Sequence, residues 1–91
     1  MKFNLISTSL VQEKTKNKVI ECRATPISAD ITNGFYLQFS DEGNDFTVCT
    51  YLSNAKTYKK ADALMKESVR LGFSALTIQL SPQAISSYRS V

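Results

Sequence analysis

An α+β fold, with a mainly antiparallel sheet of four to five strands and one amphipathic helix on one face, is what three features of this 91-residue chain predict. Residues 35–52 alternate apolar and polar around a tight turn. Residues 57–71 carry apolar side chains at helical spacing, and residues 74–80 return to alternation. A helix laid over one face of a sheet is the economical way to bury both apolar surfaces.

Taken in order, residues 2–10 read as a first strand, with Phe3 and Leu5 alternating with Asn4 and Ile6. The polar run at 12–18 reads as a flexible hairpin connection rich in lysine. Residues 19–24 resume extended character, with Ile20 and Cys22 facing away from Val19, Glu21 and Arg23. Pro26 ends regular pairing or marks an edge, because it has no amide hydrogen to give. Asn33-Gly34 signals a turn after an irregular stretch at 27–32.

The clearest strand follows: Phe35, Leu37 and Phe39 share one face, and Tyr36, Gln38 and Ser40 the other. Asp41-Glu42-Gly43-Asn44 is a hairpin turn, with Gly and Asn suited to positive φ. On the returning strand Phe46, Val48, Thr50 and Leu52 alternate with Thr47, Cys49 and Tyr51. In the helix predicted at 57–71, Tyr58, Ala61, Leu64, Met65, Val69 and Leu71 fall on one side, and Lys59, Lys66 and Arg70 on the other. Ser53 or Thr57 caps its start. Gly72 is its stop, and Arg70 in the last turn suits the helix dipole. Leu76, Ile78 and Leu80 then face one way in a last strand. Ser81-Pro82, a capping hydroxyl before a first-turn proline, predicts a short C-terminal helix over 83–88 that Ile85 and Tyr88 dock.

The length allows one domain, residues 1–91, whose core hides roughly 60–65% of the surface an unfolded chain exposes. With 43% hydrophobic and 21% charged residues the chain is ordinary for a globular protein. Cys22 and Cys49 are too few and too far apart for a metal knuckle or a redox pair; they read as small buried hydrophobes, with a cross-strand disulfide the alternative. The start lacks the long apolar core of a signal peptide, and no apolar run is long enough to span a membrane, so a reducing cytoplasm is expected.

The residue inventory excludes several chemistries. With no histidine, the commonest general base and metal ligand are gone, and so are the Ser-His-Asp and Cys-His nucleophile systems. No glycine-rich phosphate loop is present. Asp41, Glu42 and Asp45 read as a solvated acidic turn. No enzymatic activity, cofactor, metal or small-molecule substrate is therefore expected.

What remains is charge. Eleven Lys and Arg against eight Asp and Glu leave +3. Lys14, Lys16 and Lys18 form one cluster; Lys56, Lys59, Lys60, Lys66 and Arg70 form another. Cations spaced along a helix can follow phosphates, and Tyr36 and Tyr51, on the sheet face opposite the phenylalanines, are candidate stacking residues. The plainer reading is a solvated surface and ordinary cross-strand tyrosine packing. The sheet carries no ribonucleoprotein signature.

In its start, Met1-Lys2-Phe3-Asn4-Leu5-Ile6, in its hairpin Asp41-Glu42-Gly43-Asn44-Asp45 and in the lysine-rich helix after it, the chain resembles the small phage-encoded anti-CRISPR proteins, type I-F inhibitors in particular. The resemblance implies a non-catalytic inhibitor in the host bacterial cytoplasm. It would bind Cas subunits of an RNA-guided, Cascade-like surveillance complex and block recognition of target DNA. Many such inhibitors are acidic DNA mimics; this chain is basic, which favours contact with guide RNA or its phosphates. Two further expectations stand beside it: an autonomous basic nucleic-acid-binding module, and a phage or host interaction protein that uses its acidic turn or bare sheet face on another target. A homodimer paired through the sheet is compatible with all three.

Overall fold

The structure, a computed structural model, describes residues 4–28, 30–50 and 54–80. In chain order these form β1 (Asn4–Ser7), α1 (Thr8–Asn17), β2 (Glu21–Pro26), a 3-10 turn (Ile31–Asn33), β3 (Phe35–Asp41), β4 (Asn44–Cys49), β5 (Thr57–Tyr58), α2 (Ala61–Leu71) and β6 (Ala75–Ile78). The α+β class holds. The sheet has six strands in the order β1-β4-β3-β2-β6, with β5 pairing the start of β3.

The sheet is mixed rather than mainly antiparallel. β3 runs against β2, β4 and β5, whereas β1 is parallel to β4 and β6 is parallel to β2. The cause lies in the connections. Residues expected as the end of a first strand and a hairpin loop, 8–17, are α1. A helix returns the chain over the sheet and sets it down parallel, where a hairpin would have reversed it. Gln12, Glu13, Lys14 and Lys16 are good helix formers. Their helix goes unnoticed because its buried stripe is thin, with Val11 the one buried residue among the ten. In β1 Ile6 is buried and Leu5 exposed.

Around the sheet's middle the alternation predicts correctly. Phe35, Leu37 and Phe39 point into the core beside Cys22 and Ala24 of β2 and Val48 of β4. Phe39 stacks on Phe46 at 5.2 Å and meets Phe73 at 5.3 Å between ring centres. Both helices add to this face, α1 through Val11 and α2 through Leu64 and Leu71, so two helices cover it where one is expected. The hairpin turn is Asp41-Glu42-Gly43-Asn44 as expected, with positive φ at Glu42 (52°) and Gly43 (81°) and not at Asn44.

The helix predicted at 57–71 begins at Ala61. Thr57 and Tyr58 are strand, and Lys60 is the N-cap, with no side-chain capping bond; Thr57 does not cap, and Ser53 lies outside the described residues. Tyr58 is buried, but from β5. The apolar side of the helix is also displaced from the expected one. Leu64, Glu67, Ser68 and Leu71 are buried, while Ala61, Met65 and Val69 are exposed. The stop is as expected: Gly72 adopts the left-handed conformation (φ 89°), and its amide bonds to the Val69 carbonyl. Thr15 of α1 packs against that cap, its hydroxyl 2.6 Å from the Leu71 carbonyl.

Cys22 and Cys49 are both free and buried. They sit on β2 and β4, with β3 between them, and on opposite faces of the sheet, so no disulfide joins neighbouring strands. The expected C-terminal helix at 83–88 lies outside the described residues. No described helix is long and apolar enough to cross a membrane.

Candidate binding surface

The candidate cations separate into two groups according to whether a carboxylate neutralises them. The first group belongs to two internal clamps. Asp41, at the end of β3, points to the helix side of the sheet, where α1 crosses it. Lys14 and Lys18 reach its two oxygens at 2.9 and 2.8 Å, and Lys18 also meets Glu42 at 3.0 Å. The Lys14 ammonium lies 5.2 Å from the centre of the Phe46 ring. Hydrogen bonds from Lys18 and Lys14 hold the Asp41 carboxyl below its ordinary range, and the Asp41 and Glu42 carboxylates raise Lys18 in return. The acidic turn is thus solvated only in part: Glu42 is exposed, whereas Asp41 is not. Asp41 is buried and fastens the hairpin to α1, and Asp45 pairs with Arg23 at 3.4 Å across the other face.

The second clamp is centred on Glu67, a carboxylate on the buried side of α2. Lys56 and the Tyr58 hydroxyl donate to one oxygen at 2.6 and 2.7 Å, and Arg70 donates to the other at 2.6 and 2.7 Å. Burial pushes the Glu67 carboxyl up, but the hydrogen bonds from Lys56, Tyr58 and Arg70 outweigh it, so the group stays ionised below its ordinary range. Burial, then the bond to Glu67, raises the Tyr58 phenol and keeps it a donor. The cluster ties α2 to β5. Sequence reasoning missed Glu67, although a signal was present: a carboxylate amid Leu64, Ser68 and Leu71 on one helix face, with Arg70 three residues on, requires a buried ion pair.

The second group is Lys16, Lys59, Lys60 and Lys66. All four are exposed, and none has a hydrogen-bond or ion-pair partner among the described residues. Lys59 and Lys60 stand at the start of α2 and Lys66 one and a half turns along, with Asp62 the acidic residue of the first turn. Lys16 stands apart on α1, in the groove of about 350 Å³ between the helices that Gln12, Arg70 and Gly72 also line. The clusters expected at 14–18 and 56–70 are therefore not one footprint. Lys59 and Lys60 at the β5–α2 junction and Lys66 farther along α2 are the available cations, and Lys14, Lys18, Lys56 and Arg70 are paired with carboxylates of the fold.

The tyrosine platform is half described. Tyr36 is partly buried on the helix-free face, opposite Thr25 and Thr57; Tyr51 lies outside the described residues. Around Tyr36 the face is polar and internally bonded: Thr25 donates to Gln38 at 2.7 Å, and Gln38 to Thr47 at 3.0 Å. Comparison of the chain with protein-family models, curated proteins and solved structures finds no match.

Proposed function

We propose that this chain is a non-catalytic binding protein that grips phosphates with a rim of lysines, Lys59, Lys60 and Lys66, at and beyond the start of α2, and that its partner is the guide-RNA-bearing surface of a type I surveillance complex. The observation that carries the first half is the sorting of the cations. Lys59, Lys60 and Lys66 are left without carboxylates in a fold that neutralises Lys14, Lys18, Lys56 and Arg70. Two of the three stand at the positive end of a helix, where a cation works against the helix dipole, so their placement favours an incoming anion over the fold's own stability. The resemblance in the start, hairpin and lysine-rich helix supports the second half. A compact chain docked on Cas subunits, with these lysines on guide phosphates, blocks target pairing sterically.

The test is target-DNA binding by a guide-loaded type I-F complex titrated with the protein. Loss of DNA binding is expected, and restoration by the triple variant Lys59→Glu, Lys60→Glu, Lys66→Glu with an unchanged circular dichroism spectrum. Unchanged DNA binding at saturating protein sinks the surveillance-complex reading. Free single-stranded RNA in the same buffers separates the alternative of an autonomous nucleic-acid-binding module. Tight binding to it, with a log–log salt slope reduced by about 2 in the triple variant, favours that module.

A further inference from the structure

Apart from the lysine rim, the exposed apolar side chains are unevenly placed. Four of the large ones are Met65 (54% exposed) and Val69 (78%) on α2, and Ile78 (40%) and Leu80 (51%) on and just after β6. On α2 the Glu67 flank faces β5 through Tyr58 and Lys56, and Ser68 sits over Cys22 of β2 at 3.5 Å. The Met65–Val69 flank therefore lies on the exposed side of α2 away from β5, the side on which β6 follows β2 in the strand order. β6 ends the strand order, so among the described residues no strand lies beside its outer edge.

That edge lacks the usual protections. Residues 75–80, Ala-Leu-Thr-Ile-Gln-Leu, contain no charge, no proline and no glycine, the devices by which exposed edges normally avoid pairing. The segment is also complementary to itself. In an antiparallel pair centred on Ile78, Leu76 lies opposite the partner's Leu80 and Thr77 opposite the partner's Gln79. Apolar meets apolar on the helix side and polar meets polar on the other. The same twofold axis brings the Met65–Val69 flanks of both copies to one seam. Charge permits self-association at this border: each copy carries +3, and residues 75–80 hold none of that charge, so two copies meet there without like charges in contact.

We infer that two copies of this chain associate through the β6 edge, forming one continuous sheet with Met65, Val69, Ile78 and Leu80 in the seam. The occupant is a second copy, because the strip is uncharged and self-complementary and so meets itself without placing like charges in contact. The inference does not depend on the function proposed above. The association is apolar between like-charged bodies, so added salt strengthens it, opposite to the effect of salt on phosphate binding.

Sedimentation equilibrium of the full chain over a range of micromolar concentrations and two salt levels tests it. The expected result is a mass rising from 10.1 kDa toward twice that value. Ile78→Lys should return it to the monomer at every concentration. Val69→Lys, on a surface where it cannot disturb the fold, should weaken association at least tenfold, while Lys66→Glu should not weaken it. A monomer throughout, whether because residues beyond Leu80 cover the edge or because the strip does not pair, overturns the inference. So does a dimer indifferent to both Ile78→Lys and Val69→Lys.

Discussion

Glu67 occupies a position where the spacing of Leu64, Ser68 and Leu71 calls for an apolar side chain, and its burial is tolerable only because three donors meet it. Its carboxyl titrates below the ordinary range, as does that of Asp41. A carboxylate with a depressed folded pKa adds stability that is present above its unfolded value and lost as pH falls through the folded one. Stability by urea unfolding should accordingly be steady above about pH 5 and fall below about pH 4. Glu67→Gln should flatten part of that acid limb and lower stability at pH 7 by about 1–3 kcal/mol, discounted because Lys56 and Arg70 are partly solvated. A limb unchanged in Glu67→Gln would show that the clamp does not set it. Much of this scale was legible: the carboxylate and the cation three residues on are visible in the sequence, and only the contributions of Lys56 and Tyr58 required the fold. For the lysines the reverse holds. Lys18 and Lys66 look alike as residues, and what separates them is Asp41, more than twenty positions from either.

At the scale of elements, α2 shows a good stop and a poor start. Gly72 has the positive φ that ends the helix, and a Cβ there would meet the Thr15 hydroxyl oxygen at 2.6 Å. Gly72→Ala should therefore cost about 1–3 kcal/mol, from backbone strain plus displacement of Thr15. Thr15→Ala in the same chain should recover the steric part, measured as a coupling in a double-mutant cycle. At the other end Lys60 caps without a side-chain acceptor. Lys60→Ser should raise stability by about 1 kcal/mol by thermal or chemical unfolding, and weaken binding of a phosphate-bearing partner. A change that raised both would separate Lys60 from the binding rim. Stop signals are legible because glycine at positive φ is a local requirement. Starts such as this one are not, because a helix held by packing does without its cap. α1 escaped notice for a related reason: packing through one buried residue leaves little periodicity to read.

For the whole molecule, the hairpin of β3 and β4, its faces and the core they build follow from alternation and turn chemistry, both local properties. The direction of β1 and β6 does not. It depends on α1 and α2 carrying the chain back over the sheet, and a missed helix turns a parallel neighbour into an antiparallel one. The assembled molecule should respond to salt in two opposite ways. Raising salt should strengthen pairing at β6 and weaken any hold of Lys59, Lys60 and Lys66 on phosphates. Light scattering and a fluorescence-anisotropy titration in matched buffers would show both slopes, and slopes of the same sign would exclude one of the two interactions.

The position of β3, against which every strand that touches it runs antiparallel, also sets an order of events. Asp41 opposes Asn44 across a two-residue turn, whereas Asn4 opposes Phe46 and Glu21 opposes Ala75. The central pairings close short loops and the outer ones long loops, which cost more chain entropy before any contact returns it. The middle of the sheet is therefore the natural nucleus, and β1 and β6 are late additions laid down by their helices. Until a nascent molecule completes that last step it presents an unfinished β2 edge, so the time spent waiting for β6 is the interval in which this chain is most exposed to mispairing.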